Sequence, residues 1–173
     1  HLMMQYNLSP DTIVDPKDYT DEMREFLQKV DEDSLLNETL DTSVLKEWKL
    51  TVTPNRQFFR TDKRGFMAII MEEMNDSRSK NKKAQIAAEK EFENPNDYDS
   101  SKHDEIKKRV AKFKSAQMAL KVCLNSAYGA LGSEFFVLFD TRIAEAITSA
   151  GRLAIRWIGK KTNEYLNNLL KTS

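Results

Sequence analysis

The sequence holds a single cysteine, Cys123, and two histidines, His1 and His103, in 173 residues. One thiol excludes an internal disulfide framework. So small a set of soft ligands also excludes a zinc site of the cysteine and histidine kind. No run of about 18 apolar residues occurs, so no membrane-spanning helix is expected. The opening His1-Leu2-Met3-Met4-Gln5 lacks the basic and then apolar layout of a secretory leader. A reduced, cytoplasmic compartment is therefore the expectation. Internal repeats and low-complexity tracts are also absent. What is present is a 40% apolar fraction, enough to build a core.

Net charge is zero, from 27 basic and 27 acidic residues, but it is unevenly spread. Pro10 to Glu47 carries 12 acids and 4 bases, Trp48 to Ala130 carries 17 bases and 11 acids, and Leu131 to Ser173 carries 6 bases and 4 acids. The middle third is thus the candidate for anion binding. Its densest cluster is Arg78-Ser79-Lys80-Asn81-Lys82-Lys83. Charge pattern alone reads it as a solvated helix face, with phosphate contact as the other reading.

Periodicity predicts a mainly α protein. The first 50 residues read as an irregular segment with short helices, one of them around Met23, Phe26, Leu27 and Val30. Thr51-Val52-Thr53 and Phe58-Phe59 flank Pro54-Asn55 and predict a small hairpin. From about Asp62 to Glu93 the chain is strongly helix-forming, with Met67, Ile70, Met71 and Met74 as an apolar stripe. Asn94-Pro95-Asn96-Asp97 stops that helix. A second helix is expected from Ser101, opened by a capping-box spacing to Asp104 and closed at Gly129. The two form a long antiparallel hairpin with arms of about 45 Å. Phe135 to Phe139 reads as a short buried strand, giving β contributions near residues 50–59 and 134–139. Asp140 then caps a third long helix reaching about Leu170.

Two sets of residues carry possible chemistry. Lys121, Asn125 and Tyr128 are spaced i, i+4, i+7 and share one helix face. An ammonium, an amide and a phenol in a row suit a phosphate-bearing ligand; the plain alternative is a partner-facing helix ending at Gly129. Arg60 and Arg64 lie four apart at the expected start of the first long helix. Guanidinium forks at a helix N-terminus bind phosphate oxygens; the alternative is a charge cluster paired with Asp62 or glutamates. In an antiparallel hairpin Arg60, Arg64, Lys121 and Asn125 would converge at its base, a grouping that suits a triphosphate.

Lys121-x-x-x-Asn125-Ser126-x-Tyr128-Gly129, followed by Ala130-Leu131-Gly132, resembles motif B of the family B DNA polymerases, most closely the replicative enzymes of tailed bacteriophages. Three further stretches agree in order. Met4 to Thr12 resembles the segment after motif A, Phe59 to Phe66 the start of the first fingers helix, and Phe139-Asp140-Thr141-Arg142 with Ala146-Ile147-Thr148 and Trp157-Ile158 the palm helix after motif B. The resemblance implies a palm segment over 1–50, fingers over 51–129 and a second palm segment over 130–173. It implies that Lys121 and Asn125 hold the phosphates of an incoming dNTP and that Arg60 and Arg64 grip its outer phosphates. The family commonly has Lys at the position matching Arg64, which changes the geometry available there. Tyr128 and Gly129 would line the minor-groove side of the nascent base pair, where acceptors are common to all pairs. The implied partners are dNTP, primer-template DNA and the remainder of the polymerase, in the cytoplasm of an infected bacterial host. Polymerase chemistry needs two Mg2+ ions held by aspartates. The family's metal-binding motifs, and its sugar-discriminating tyrosine, are not matched here. The expectation is a fragment with no metal site and no nucleotidyl transfer of its own, exposing apolar palm surface around Phe135, Phe136 and Leu138 that favours self-association. Asp31-Glu32-Asp33 is expected to be solvated surface. Two other readings stand beside this one. One is a helical hairpin that presents a face to a partner without a nucleotide role. The other is a nucleic-acid-binding module, for which the basic excess is modest.

Overall fold

A computed structural model describes residues 1–93 and 100–172. The chain divides into two compact units, His1–Ile69 with Leu131–Ser173, and Ile70–Ala130. Among the described residues it is mainly helical, with one two-stranded antiparallel sheet.

The first unit opens with α1 (Leu2–Gln5), α2 (Asp21–Gln28), α3 (Glu32–Leu36) and α4 (Val44–Trp48), all short. Local side chains set their ends. The Thr20 hydroxyl accepts from the Met23 amide at α2, and Asp31 and Ser34 form a reciprocal capping box at α3. Lys49 closes α4 in the left-handed region, φ 55°. β1 (Leu50–Val52) then pairs with β2 (Phe58–Arg60), placing Leu50 opposite Arg60 and Val52 opposite Phe58. These elements are more ordered than their sequence implies, because they share a core of Phe26, Val30, Leu45, Leu50, Val52 and Phe58. Tyr19, Phe26 and Trp48 surround the fully buried Phe58 at ring-centre distances of 5.3, 6.1 and 6.1 Å. The Tyr19 and Trp48 contacts are edge-on, the arrangement that aromatic quadrupoles favour.

α7 (Thr141–Thr172) belongs to the same unit. The Asp140 carboxylate accepts from the Arg142 amide at 2.9 Å and caps it. Ile143, Ala146 and Ala150 give α7 a fully buried stripe. Arg152, Arg156 and Lys160, each four residues after the last, run along the face that meets α3. Arg152 pairs with Glu32 at 2.7 Å, Arg156 with Glu32 and Asp33, and Lys160 donates to the Asn37 side chain at 3.0 Å. The acidic run at residues 31–33 is therefore not simple solvated surface. Asp31 is a cap, and Glu32 and Asp33 are partners for α7.

Residues 134–139 correct the expected strand. They form successive turns, with the Phe136 amide donating to Ser133 O at 2.9 Å and the Phe139 amide to Phe136 O at 2.9 Å. A strand needs a neighbour to take its backbone groups. None pairs with this segment among the described residues, so it bonds to itself. Phe135 and Val137 are about nine-tenths exposed.

The second unit is made from the long helices α5 (Phe66–Phe92) and α6 (Ser100–Leu131), apart from α5's first turn and Leu131. They run antiparallel. Arg109 of α6 pairs with Glu91 of α5 at 3.2 Å, and the His103 ring stacks on Phe92 at 3.9 Å. The stop signal at 94–97 lies outside the described residues, as does the side chain of Ser101, from which the capping box to Asp104 was expected. α6 does not stop at Gly129 but runs two residues further, and no glycine has positive φ. Nor does α5 begin near Asp62: residues 61–65 are a loop and helix starts at Phe66.

Candidate functional site

The later start of α5 changes the setting of the two arginines. Arg60 is the last residue of β2, and Arg64 lies in the loop that leads into the helix. Both belong to the first unit. The Arg60 guanidinium makes a two-pronged bond to Asp62, 3.0 Å from Nε to Oδ1 and 2.6 Å from Nη2 to Oδ2. The hydrogen bond from Arg60, aided by its charge and against the opposing effect of burial, leaves the Asp62 carboxyl below its ordinary range, and the same bond raises Arg60. The pair is half-exposed and borders a groove of about 390 Å³ with Lys49, Trp48 and Asp18.

The loop is held from behind by Asn7 to Thr12, a segment in which Ser9-Pro10-Asp11-Thr12 reads from sequence only as a turn signal. Asn7 is buried and left-handed, φ 57°. Its side-chain amide donates to Arg60 O at 2.7 Å and to Lys63 O at 2.8 Å, and its Oδ1 accepts from the Gly65 amide at 2.9 Å. Ser9 Oγ accepts from the Met67 amide, Asp11 from the Phe66 amide, and Asp11 pairs with Lys63 at 3.6 Å. Ser9 and Asp11 are themselves hydrogen-bonded. Thr12 O accepts from the Arg60 amide at 2.8 Å, and Val14 donates to Phe58 O at 2.9 Å. Residues 12–14 therefore lie along β2 as a partial third strand. Together these groups satisfy the orphan amides of the first turn of α5. The available signal was Asn-x-Ser-Pro-Asp, a turn-forming and capping composition; its partners lie more than 50 residues away and have no local signature.

The motif B residues lie in the second unit. Lys121, Asn125, Tyr128 and Gly129 are all exposed on α6. The Tyr128 ring is 43% exposed, and a Cβ placed on Gly129 would meet no heavy atom within 4 Å. Internal packing therefore does not require glycine at 129. Counting down the arms from the Glu91–Arg109 pair, about a dozen residues each way, brings Arg78 of α5 level with Lys121 of α6. Arg78 is only partly exposed, and its Nε is buried without a hydrogen-bond partner. Lys82 follows one turn later and is exposed. Arg78 was expected to be solvated; the structure half-buries it on the packed face of the hairpin. On the opposite arm of the same unit, Arg78 and Lys82 of α5 lie four residues apart.

Among the described residues no three His, Cys, Asp or Glu side chains come together. No described helix is long and apolar enough to cross a membrane.

A pair of long antiparallel helices carrying an exposed Lys-Asn-Tyr row, in a chain whose other unit packs a long helix against short ones, defines the class by fold: a mainly α protein with a long helical hairpin. The family model for DNA polymerase family B matches residues 1–172, and the chain belongs to that family. It is 30% identical to the DNA-directed DNA polymerase of Escherichia phage RB69 over 69% of this chain and 17% of that protein. To the DNA-directed DNA polymerase of Enterobacteria phage T4 it is 41% identical over 40% of this chain and 8% of that protein. To DNA polymerase 1 of Aeropyrum pernix it is 42% identical over 28% of this chain and 5% of that protein. The chain therefore spans less than a fifth of the length of these relatives.

Proposed function

We propose that this chain is the fingers arm and adjoining palm segments of a template-directed DNA polymerase. In this reading the arm binds the triphosphate of an incoming dNTP and presents Tyr128 and Gly129 to the nascent base pair. The observation that carries the reading is the exposed row of Lys121, Asn125 and Tyr128 on α6, in a chain matched along its length by the family B model. Lys121 supplies a point charge for a phosphate oxygen, and Asn125, one turn on, supplies amide hydrogens. Arg78 adds a guanidinium from the opposite arm. Arg60 and Arg64 are the second cationic pair. Arg60 reaches a phosphate only by exchanging Asp62 for it, so it contributes less than Lys121. The open surface at Gly129 leaves room beside Tyr128 for a base-pair edge.

Nucleotidyl transfer belongs to the assembled polymerase and its Mg2+ ions. In this reading the chain by itself binds nucleotide and does not turn it over, because no stretch of it resembles the family's aspartate motifs. Primer-template DNA and the remaining polymerase segments complete the set of partners.

The test is dATP binding to the pure chain at low ionic strength. Lys121→Ala should weaken it by about tenfold or more, in line with the loss of a charged hydrogen bond. Asn125→Ala should weaken it by a smaller factor. An affinity unchanged by Lys121→Ala, or no binding at low salt, rejects the reading.

A further inference from the structure

The basic residues of the two units differ in how they are used. On α7, Arg142, Arg152, Arg156 and Lys161 are all in ion pairs, and Lys160 is hydrogen-bonded. On α6, Lys107, Lys114 and Lys121 are exposed, and among the described residues none of the three has a salt-bridge partner. α6 carries seven basic residues and two acidic ones, whereas α5 carries five of each. The basic excess of the arm is therefore concentrated on α6, where Lys107, Lys114 and Lys121 are left unneutralised.

The three lysines repeat every seven residues. At 3.6 residues per turn a seven-residue repeat stays on one side of a helix, drifting by about 20° per repeat. They consequently form one row beside the packed face, about 21 Å long. Asn125 and the half-exposed Tyr128 continue it on the same side. At the far end Lys107 borders a groove of about 300 Å³ with Glu89, Phe92, Glu93 and Val110, which makes it the most attenuated of the three. Of the other exposed lysines of α6, Lys108 and Lys112 point well away from the row.

We propose that this row is a track for the phosphate backbone of a single nucleic-acid strand, leading along the arm to Lys121. A single triphosphate is far shorter than the row and engages only its end. A polyanion alone can meet all three ammonium groups at once. A duplex needs a second line of cations across a groove, which this face of α6 does not offer. A single strand needs one line of cations and a ring on which a base can stack, and Tyr128 supplies that ring. The inference goes beyond the proposed nucleotide site and does not depend on it, since Lys107 and Lys114 take no part in that site.

The probe is a fluorescent twelve-nucleotide oligothymidylate, titrated with the chain at several sodium chloride concentrations. Three phosphate contacts predict a slope of log K against log salt of about −2, from about −0.7 per contact on single strands. Lys107→Gln/Lys114→Gln should reduce the slope to about −0.7 and weaken binding by about tenfold or more at low salt. Lys108→Gln/Lys112→Gln should leave both nearly unchanged. Equal losses in the two double variants would mean diffuse attraction and would overturn the proposal, as would absence of oligonucleotide binding at low salt. Inorganic tripolyphosphate provides the second arm. Its affinity should be insensitive to Lys107→Gln/Lys114→Gln, and an equal loss would show that the row belongs to the nucleotide site instead.

Discussion

The side chain of Asn7 and the backbone of Gly65 meet at 2.9 Å across 58 residues, with the Gly65 amide donating to Asn7 Oδ1. The same side chain donates to the carbonyls of Arg60 and Lys63, so one buried amide holds both ends of the loop between β2 and α5. Asn7→Ala strands two acceptors and a donor and removes a residue suited to the left-handed region. A loss of about 2–3 kcal/mol in unfolding free energy is expected, measured by urea denaturation. A change under about 0.5 kcal/mol would mean that the loop is held elsewhere.

Gly65 has a steric reason to be glycine. A Cβ there would lie 2.5 Å from Ser9 Cβ and 3.0 Å from Thr12 Cγ2, both on the clamping segment. Gly65→Ala should cost about 1–3 kcal/mol, as overpacking does. Ser9→Gly removes the nearest obstacle, so the double variant should be less destabilised than the sum of the singles. Additive effects in a thermal melt would locate the strain elsewhere.

Burial pushes the Asp11 carboxyl up, but the Ser9 hydroxyl, the Phe66 amide and Lys63 together bring it below its ordinary value. A carboxyl lowered on folding contributes stability above its unfolded pKa of about 3.9 and loses it as pH falls through the folded value. The melting temperature should therefore owe nothing to this group's titration between pH 7 and 5, and should fall below about pH 4. In Asp11→Asn that acid limb should be shallower, and an identical limb would dismiss Asp11 as a contributor.

Arg78 separates binding from folding. Its Nε is buried and unpartnered, so its removal relieves a desolvated donor. Arg78→Met keeps the packing stem. Stability should be unchanged or slightly higher, while dATP affinity falls by about tenfold. Loss of both together would make Arg78 a structural residue.

The helical parts of the fold were legible because their signals are local. The Met67, Ile70, Met71 and Met74 stripe, the Asp140 cap and the hairpin about Pro54-Asn55 each rest on neighbours within a few residues, and α5, α7 and the small sheet follow from them. The strand read at Phe135 to Phe139 failed for the opposite reason. An apolar run becomes a strand only when another strand takes its backbone groups, and the segment turns on itself without one. The start of α5 was misplaced because helix-forming composition at residues 62–65 was outweighed by the Asn7 clamp, which holds the Arg60 and Lys63 carbonyls outside any helix.

The candidate site divides in the same way. Periodicity alone put Lys121, Asn125 and Tyr128 on one exposed face, since a helix fixes the direction of its side chains every 3.6 residues. The grip of Asp62 on Arg60, and the height of Arg78 beside Lys121, depend on where the chain goes after it leaves each helix. Order along the chain carries the first kind of information; long-range hydrogen bonds and the packing of one arm on the other carry the second, and these exist only once the chain has folded.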